Sequence, residues 1–127
     1  MTQLPSDVDP IARIRAICLA FPEAVEKPFG GHTAPSFRVC DKLFVTTYED
    51  GSAMTCKAPP GVQQALVGSA PDRFFVPPYV GHKGWIGVRL DVEQDWKEIA
   101  ELIEDSYRMT APKRLSALLD RRDSIKQ

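Results

Sequence analysis

The spacing of apolar residues changes twice along this chain, and that change constrains the fold more than any other feature of the sequence. Over 11–21 apolar side chains recur every three or four positions, which is the period of an amphipathic helix. Over 36–57 β-branched and aromatic residues alternate with polar ones, as in strands. Helical spacing returns after residue 95. Because strands and helices are segregated in this way, the sequence predicts an α+β domain, with an antiparallel sheet covered by helices on one face.

The first helix has clear limits in the sequence. Asp9 is a good N-cap, and Pro10 suits the first helical position, where a missing N–H costs nothing. Pro22 ends the helix. A short edge strand is predicted after it, from Val25 to Phe29.

Two turns then divide the strand-rich region into three antiparallel strands. A tight hairpin at Cys40-Asp41 joins strands over 36–40 and 42–48. The second turn contains Asp50-Gly51, a pair that tolerates the positive φ of hairpin turns, and it leads into a strand over 53–57.

The rest of the chain mixes short strands with helices. Asp95 and Glu98 have the spacing of a capping box and predict the start of a long helix. Pro112 begins the last helix. The remaining predicted elements are a short helix over 61–67, strands over 74–76 and 85–90, and a loop over 79–83. Four aromatic residues are predicted to share one core: Phe37, Phe44, Trp85 and Trp96.

The length and composition fit one domain over residues 1–127, with flexible tails at 1–7 and 122–127. A composition of 43% hydrophobic and 26% charged residues is ordinary for a globular protein. No apolar run is long enough to cross a bilayer, and the N-terminal residues do not resemble a secretory signal.

The three cysteines are an odd number with no close pair, which is not the pattern of a disulfide framework or a zinc site. Three free thiols in a reducing cytoplasm are therefore predicted. Cys18 is interpreted as a small core residue, and Cys40 and Cys56 as buried thiols on strands.

The charges of the chain are unevenly distributed. The net charge is −1, which is less basic than a dedicated nucleic-acid binder usually is. Residues 91–105 carry seven acids against Lys97, whereas residues 27–89 carry seven bases against four acids. The acidic segment is interpreted as the solvated face of a helix.

The sequence contains no catalytic signature and no histidine pair at metal-ligand spacing, so no enzyme activity, metal or cofactor is predicted. Its most unusual stretch is 77–85, where two prolines and two glycines bound a loop with Tyr79, His82 and Lys83 next to Trp85. Such loops suit the binding of anions or bases. The simpler interpretation is a hairpin whose aromatic residues pack on the core, and it is slightly favoured for Trp85.

Short motifs occur in a recognisable order over about residues 10–119. They are Phe21-Pro22, Pro28-Phe29-Gly30, Phe37-Arg38-Val39, Lys42-Leu43-Phe44, Lys57, Pro78-Tyr79-Val80-Gly81, Gly84-Trp85-Ile86, Asp95-Trp96, Ser106-Tyr107 and Ala111-Pro112-Lys113. This ordered set resembles the MmcQ/YjbR family. The chain departs from the family pattern at Cys40-Asp41, where the family usually has a turn with glycine.

The resemblance implies a fold similar to CyaY and frataxin and a non-enzymatic, "double wing" DNA-binding role. Under that hypothesis the domain binds DNA weakly and without sequence specificity, mainly through phosphate contacts. The candidate contact residues are Arg38, Lys42, Lys57, Tyr79, His82 and Lys83.

The alternative hypothesis is a pocket for a small anionic ligand near Lys57 and the loop from Tyr79 to Trp85, with His32 as a further contact. A continuous basic face on the sheet would favour DNA. A concave pocket around Lys57 would favour the small ligand.

Overall fold

A computed structural model describes residues 9–27 and 33–126, with side chains as far as residue 121. Six antiparallel strands form one sheet in the order β1-β2-β3-β4-β6-β5, and the predicted α+β class is confirmed. The elements are α1 (Pro10–Leu19), β1 (Ala24–Glu26), β2 (Ser36–Val39), β3 (Lys42–Thr47), β4 (Ala53–Cys56), α2 (Val62–Ser69), β5 (Phe74–Phe75), a 3₁₀ turn (Gly81–Lys83), β6 (Ile86–Arg89), α3 (Trp96–Thr110) and α4 (Lys113–Lys126).

The two helix starts that the sequence marks are present. The Asp9 carboxylate accepts a hydrogen bond from the Ile11 amide at 3.1 Å and caps α1. The Asp95 carboxylate caps α3 by accepting from the Lys97 amide at 3.0 Å. The predicted capping box is not completed, because the Glu98 carboxylate forms an ion pair with Arg73 at 3.0 Å instead.

Both predicted hairpins are also present. Cys40 and Asp41 have φ values of 49° and 66°, the pair of positive values that a type I′ hairpin turn requires. Gly51 has a φ of 75° in the second turn. The predicted edge strand is confirmed as β1, and the part of that prediction at residues 28–29 lies outside the described residues.

One face of the sheet, here called the helix face, packs against α1 and α3. Strand register places Val45, Cys56 and Ile86 side by side on this face, and all three are fully buried. The Phe44 ring lies edge-on to Tyr107 of α3, with ring centroids 5.5 Å apart. Tyr107 also donates a hydrogen bond from its hydroxyl to the Pro22 carbonyl at 2.8 Å.

The predicted aromatic core is only partly correct. Phe37 and Phe44 are fully buried in it, and Trp96 is partly buried against it. Trp85 is buried but does not belong to this core. It directly precedes Ile86 on β6, and since successive side chains alternate, it points to the opposite face of the sheet.

Ser106 of α3 connects the helix to two strands. Its hydroxyl donates to the Phe44 carbonyl at 2.6 Å and accepts from the Lys57 amide at 3.0 Å. Because Ser106 is fully buried, this link fixes the backbone at the end of β4, from which Lys57 extends.

All three cysteines are free thiols. Cys18 and Cys56 are buried, and burial raises the pKa of the Cys56 thiol to about 12. The prediction of a buried Cys40 is wrong: Cys40 is exposed, because it occupies the hairpin turn rather than a strand. Among the described helices, none combines the length and the apolar character needed to span a membrane.

Candidate ligand-binding groove

The second face of the sheet, here called the groove face, carries small and polar side chains. Strand register aligns Thr46, Thr55, Gly87 and Phe75 across four neighbouring strands on this face, with Ser36 next to Thr46. Ser36 and Thr55 are buried although they lie at the bottom of a concavity of about 1200 Å³. This concavity, here called the groove, is the candidate functional site.

The groove is bounded by the sheet on one side and by the segment 77–85, here called the proline loop, on the other. Apolar and aromatic side chains make up much of its wall. Its lining residues are Ala34, Ser36, Leu43, Thr46, Thr47, Tyr48, Glu49, Asp50, Thr55, Lys57, Pro77, Pro78, Tyr79, Val80, Lys83 and Trp85.

The proline loop is held in place from behind by Gln63, the one residue of α2 whose side chain is buried. Its side-chain amide donates to the Gly81 carbonyl at 2.8 Å and to the Trp85 carbonyl at 2.6 Å. Gly81 packs so closely on Val76 that an added Cβ would lie 2.5 Å from a Val76 methyl group. Sequence reasoning missed Gln63, because a polar residue in a short helix gives no local sign of burial.

Tyr79 stands at the rim of the groove. Its side chain is 91% exposed, and its backbone adopts a left-handed φ of 69°, which is unusual for an aromatic residue. An exposed ring on a rigid loop beside a concave site can stack on a bound molecule at low entropic cost.

One end of the groove is cationic. Cys56 pairs with Ile86, so Lys57 and Trp85 are the next residues on adjacent antiparallel strands. Lys83 lies two residues before Trp85, on an exposed 3₁₀ turn. In the described part of the chain, neither lysine ammonium lies within ion-pair distance of a carboxylate.

The other end of the groove is acidic. Glu49 accepts hydrogen bonds from the Thr33 amide at 2.9 Å and the Thr33 hydroxyl at 3.2 Å. The hydroxyl and the amide of Ser52 both donate to one oxygen of Asp50 and lower the pKa of that carboxyl. Burial, with a smaller contribution from Asp50, raises the pKa of the neighbouring Tyr48, which keeps its phenol neutral.

The floor between the two ends carries a hydroxyl pair, and outside the groove lining an aromatic ring lies on the same face of the sheet. Thr46 and Thr55 share a hydrogen bond between their side-chain oxygens. Since only one of the two protons is used in that bond, the pair retains a second donor. The Phe75 ring covers Gly87, where an added Cβ would lie 2.4 Å from it, and the Arg89 guanidinium lies 5.0 Å from the ring centroid.

Of the six predicted contact residues, the fold places Lys57, Tyr79 and Lys83 in the groove lining. The other three, Arg38, Lys42 and His82, do not line it. The Arg38 guanidinium donates to the Asp41 carbonyl at 3.2 Å, and Lys42 and His82 are exposed.

The additional candidate His32 lies outside the described residues. Within the described chain, no group of three or more His, Cys, Asp or Glu side chains is arranged to hold a metal ion.

An α+β fold with a six-stranded antiparallel sheet, helices on one face and a groove of about 1200 Å³ on the other defines the class of this protein. The chain belongs to the YjbR family, whose model matches residues 19–109. A search of curated proteins found no match.

The solved structures that are similar to this chain include the following two. A Deinococcus radiodurans protein with a DUF419 domain aligns with a TM-score of 0.71 and 21% identity, over 82% of this chain and 80% of that one. A Pseudomonas syringae protein aligns with a TM-score of 0.47 and 24% identity, over 67% of this chain and 86% of that one. The first likeness confirms the fold.

Proposed function

We propose that this domain is a non-enzymatic binding protein that holds a small molecule with an apolar body and an anionic group in the groove. The observation that carries this proposal is the pair of lysines, Lys57 and Lys83, which line a largely apolar concavity without a carboxylate partner among the described residues. Ligand sites in proteins are typically apolar clefts in which a few polar groups fix orientation. A carboxylate or phosphate at the two ammonium groups would supply the missing counter-charge.

The walls of the groove suit a flat or rod-shaped body. Pro77, Pro78 and Trp85 give rigid apolar surface, and Tyr79 can cover the ligand from the rim. Burying this surface would supply most of the affinity, while the lysines would supply orientation and selectivity for anions.

DNA binding is the second candidate function. It is supported by the family resemblance and by the exposed side chains of Lys42, His82 and Lys83. Three acids weaken that basic surface: Asp41 lies 3.9 Å from Arg38, and Glu49 and Asp50 line the groove. A concave pocket around Lys57 favours the small ligand.

Calorimetry with a matched pair of probes tests the first function. We expect para-biphenyl carboxylate to bind in the groove and the uncharged biphenyl carboxamide to bind more weakly. Lys57→Ala and Lys83→Ala should each weaken carboxylate binding by about two- to tenfold and leave carboxamide binding unchanged. Lys42→Ala, an exposed lysine outside the groove lining, is the matched control and should have no effect. Equal affinity for the two probes, or binding of neither, would contradict the proposal.

A salt series with labelled duplex and single-stranded DNA tests the second function. If phosphate contacts dominate, affinity falls by about 0.9 log units per log unit of salt for each duplex contact. In that case Lys42→Ala, Lys57→Ala and Lys83→Ala should all weaken binding, each reducing the salt slope by about one. The Lys42→Ala variant therefore separates the two functions, because only DNA binding requires that residue.

A further inference from the structure

The two ends of the groove carry opposite charge, and the strands set the distance between them. Lys57 follows the last residue of β4, and Asp50 lies in the turn that precedes Ala53 at its start. Four residue steps separate Ala53 from Lys57, which is about 13 Å at the rise of a strand. The groove is therefore long enough for a molecule with separate contacts at each end.

The acidic end retains capacity to bind a cation. Both hydrogen bonds that Asp50 accepts from Ser52 go to one carboxylate oxygen. In the described residues, no hydrogen bond from another residue reaches the second oxygen. Asp50 is exposed, so a ligand can reach it without displacing the turn.

Tyr48 adds an aromatic surface beside these acids. Its ring packs edge-on against Phe75, with centroids 6.1 Å apart, and both Tyr48 and Asp50 line the groove. A neutral phenol ring next to carboxylates attracts organic ammonium groups through the negative face of the ring as well as through charge. Metal cations would instead require several converging oxygen ligands.

We infer that the ligand of this groove is dipolar, with an anionic group at Lys57 and Lys83 and an ammonium group at the Tyr48–Asp50 end. The inference rests on the proposed function and narrows it from anions in general to elongated zwitterions. Charge complementarity carries it, because a plain anion would leave the exposed Asp50 carboxylate without a cationic contact and a dianion would be repelled by that carboxylate.

Three rod-shaped probes test the inference: para-biphenyl carboxylate, the same carboxylate with an aminomethyl group at the far para position, and the para,para′-dicarboxylate. In the wild-type protein we expect the aminomethyl carboxylate to bind about two- to fivefold tighter than the plain carboxylate, as one exposed ion pair allows. The dicarboxylate should bind weakest.

Charge changes at each end then assign the two contacts. Asp50→Lys should reverse the order, so that the dicarboxylate binds tighter than the aminomethyl carboxylate. Lys57→Ala should weaken all three probes and preserve the advantage of the aminomethyl group. Glu101→Lys on α3, an exposed carboxylate outside the groove lining, is the matched control for added charge and should leave the order unchanged.

The possible failures are distinguishable. If the plain carboxylate binds in a Lys57-dependent way but the aminomethyl group brings no gain, the zwitterion inference is wrong and the proposed function stands. The same holds if Asp50→Lys leaves the order of the probes unchanged. If none of the three probes binds, the proposed function itself fails.

Discussion

The two faces of the sheet are formed by the same strands but differ in what covers them. On the helix face, Met54, Cys56 and Val88 are fully buried beneath helices, as an apolar layer should be. On the groove face, Ser36 and Thr55 are only 2% and 5% exposed, yet both are polar and line a cavity. Burial therefore has two meanings here: close packing on one face, and the floor of a concave site on the other.

The difference between the faces predicts where substitutions cost stability and where they cost binding. A residue that is packed on all sides loses contacts when it is truncated, and the cavity left behind adds to the loss. A groove residue already borders empty space, so its truncation removes much less. We expect four effects of decreasing size, and the first of them tests this contrast directly.

Phe44→Ala on the helix face should lower the free energy of unfolding by about 3–5 kcal/mol, since it removes a fully buried ring that packs against Tyr107. Tyr79→Ala at the groove rim is the matched aromatic control and should change stability by less than about 0.5 kcal/mol. Urea unfolding followed by circular dichroism measures both. Similar losses for the two variants would abolish the distinction between the faces.

Gly87→Ala should lower the free energy of unfolding by about 1–3 kcal/mol, because the added methyl group enters the space that the Phe75 ring occupies. In a Phe75→Ala background the same substitution should cost little, and a double-mutant cycle measures that coupling. Gly68→Ala in α2 is the control, since nothing lies within 4 Å of the added Cβ, and it should stabilise by up to about 1 kcal/mol. Equal costs of Gly87→Ala in both backgrounds would show that Phe75 is not the cause.

Gln63→Leu should lower the free energy of unfolding by about 1–3 kcal/mol, because the Trp85 carbonyl loses its donor and the Gly81 carbonyl keeps only the Gly84 amide. It should also weaken binding of biphenyl carboxylate, since the proline loop loses its support. Gln64→Leu, at the exposed neighbouring position, should do neither. A Gln63→Leu protein with unchanged stability and binding would rule out this supporting role.

The smallest effect concerns the ion pair between α1 and the edge strand, where Arg15 contacts Glu26 through two bonds of 2.8 and 3.1 Å. The Arg15 hydrogen bond lowers the pKa of Glu26 in the folded state. The ion pair therefore stabilises the folded protein at pH values above the pKa of Glu26 in the unfolded chain, which is about 4.3. This stabilisation is lost as the pH falls through the lower pKa that Glu26 has in the folded protein.

Glu26→Gln should accordingly lower the free energy of unfolding by only about 0.2–1 kcal/mol at pH 7, because solvent screens this partly exposed ion pair. The difference from wild type should shrink below about pH 4. Glu101→Gln on α3 is the exposed control. Urea titrations at several pH values measure the difference. A cost that is independent of pH would mean that the Arg15 interaction is not its source.

Much of the fold could be predicted because its signals are local. The Asp9 and Asp95 caps and the turn at Gly51 each depend on residues within a few positions of one another, so the sequence alone determines them. The order of helices and strands follows from those limits and from the apolar period. The family resemblance, too, rests on short motifs in sequence order.

The site was predicted less completely. The sequence predicts Lys57, Tyr79 and Lys83 as contact residues because they are cations or aromatics near rigid turns, and the fold brings them to one groove. The sequence does not predict the acidic end of the groove, because the stretch that contains Glu49 and Asp50 indicates only a turn. Their place in the groove depends on how β3 and β4 lie beside the proline loop.

Only the tertiary structure determines on which face of the sheet each buried side chain lies. The pairing of β2 with β3 shifts register between Phe37 and Arg38, so that Phe44 of β3 has no partner on β2. Because this β-bulge interrupts the alternation of side chains, Phe44 and Val45 are both buried although they are adjacent in sequence. Glu98 pairs with Arg73 rather than with its own helix. Burial and pairing of this kind depend on segments far apart in the chain, whereas caps and turns depend on neighbours. For this reason the sequence determined the elements of this protein, and packing determined its groove.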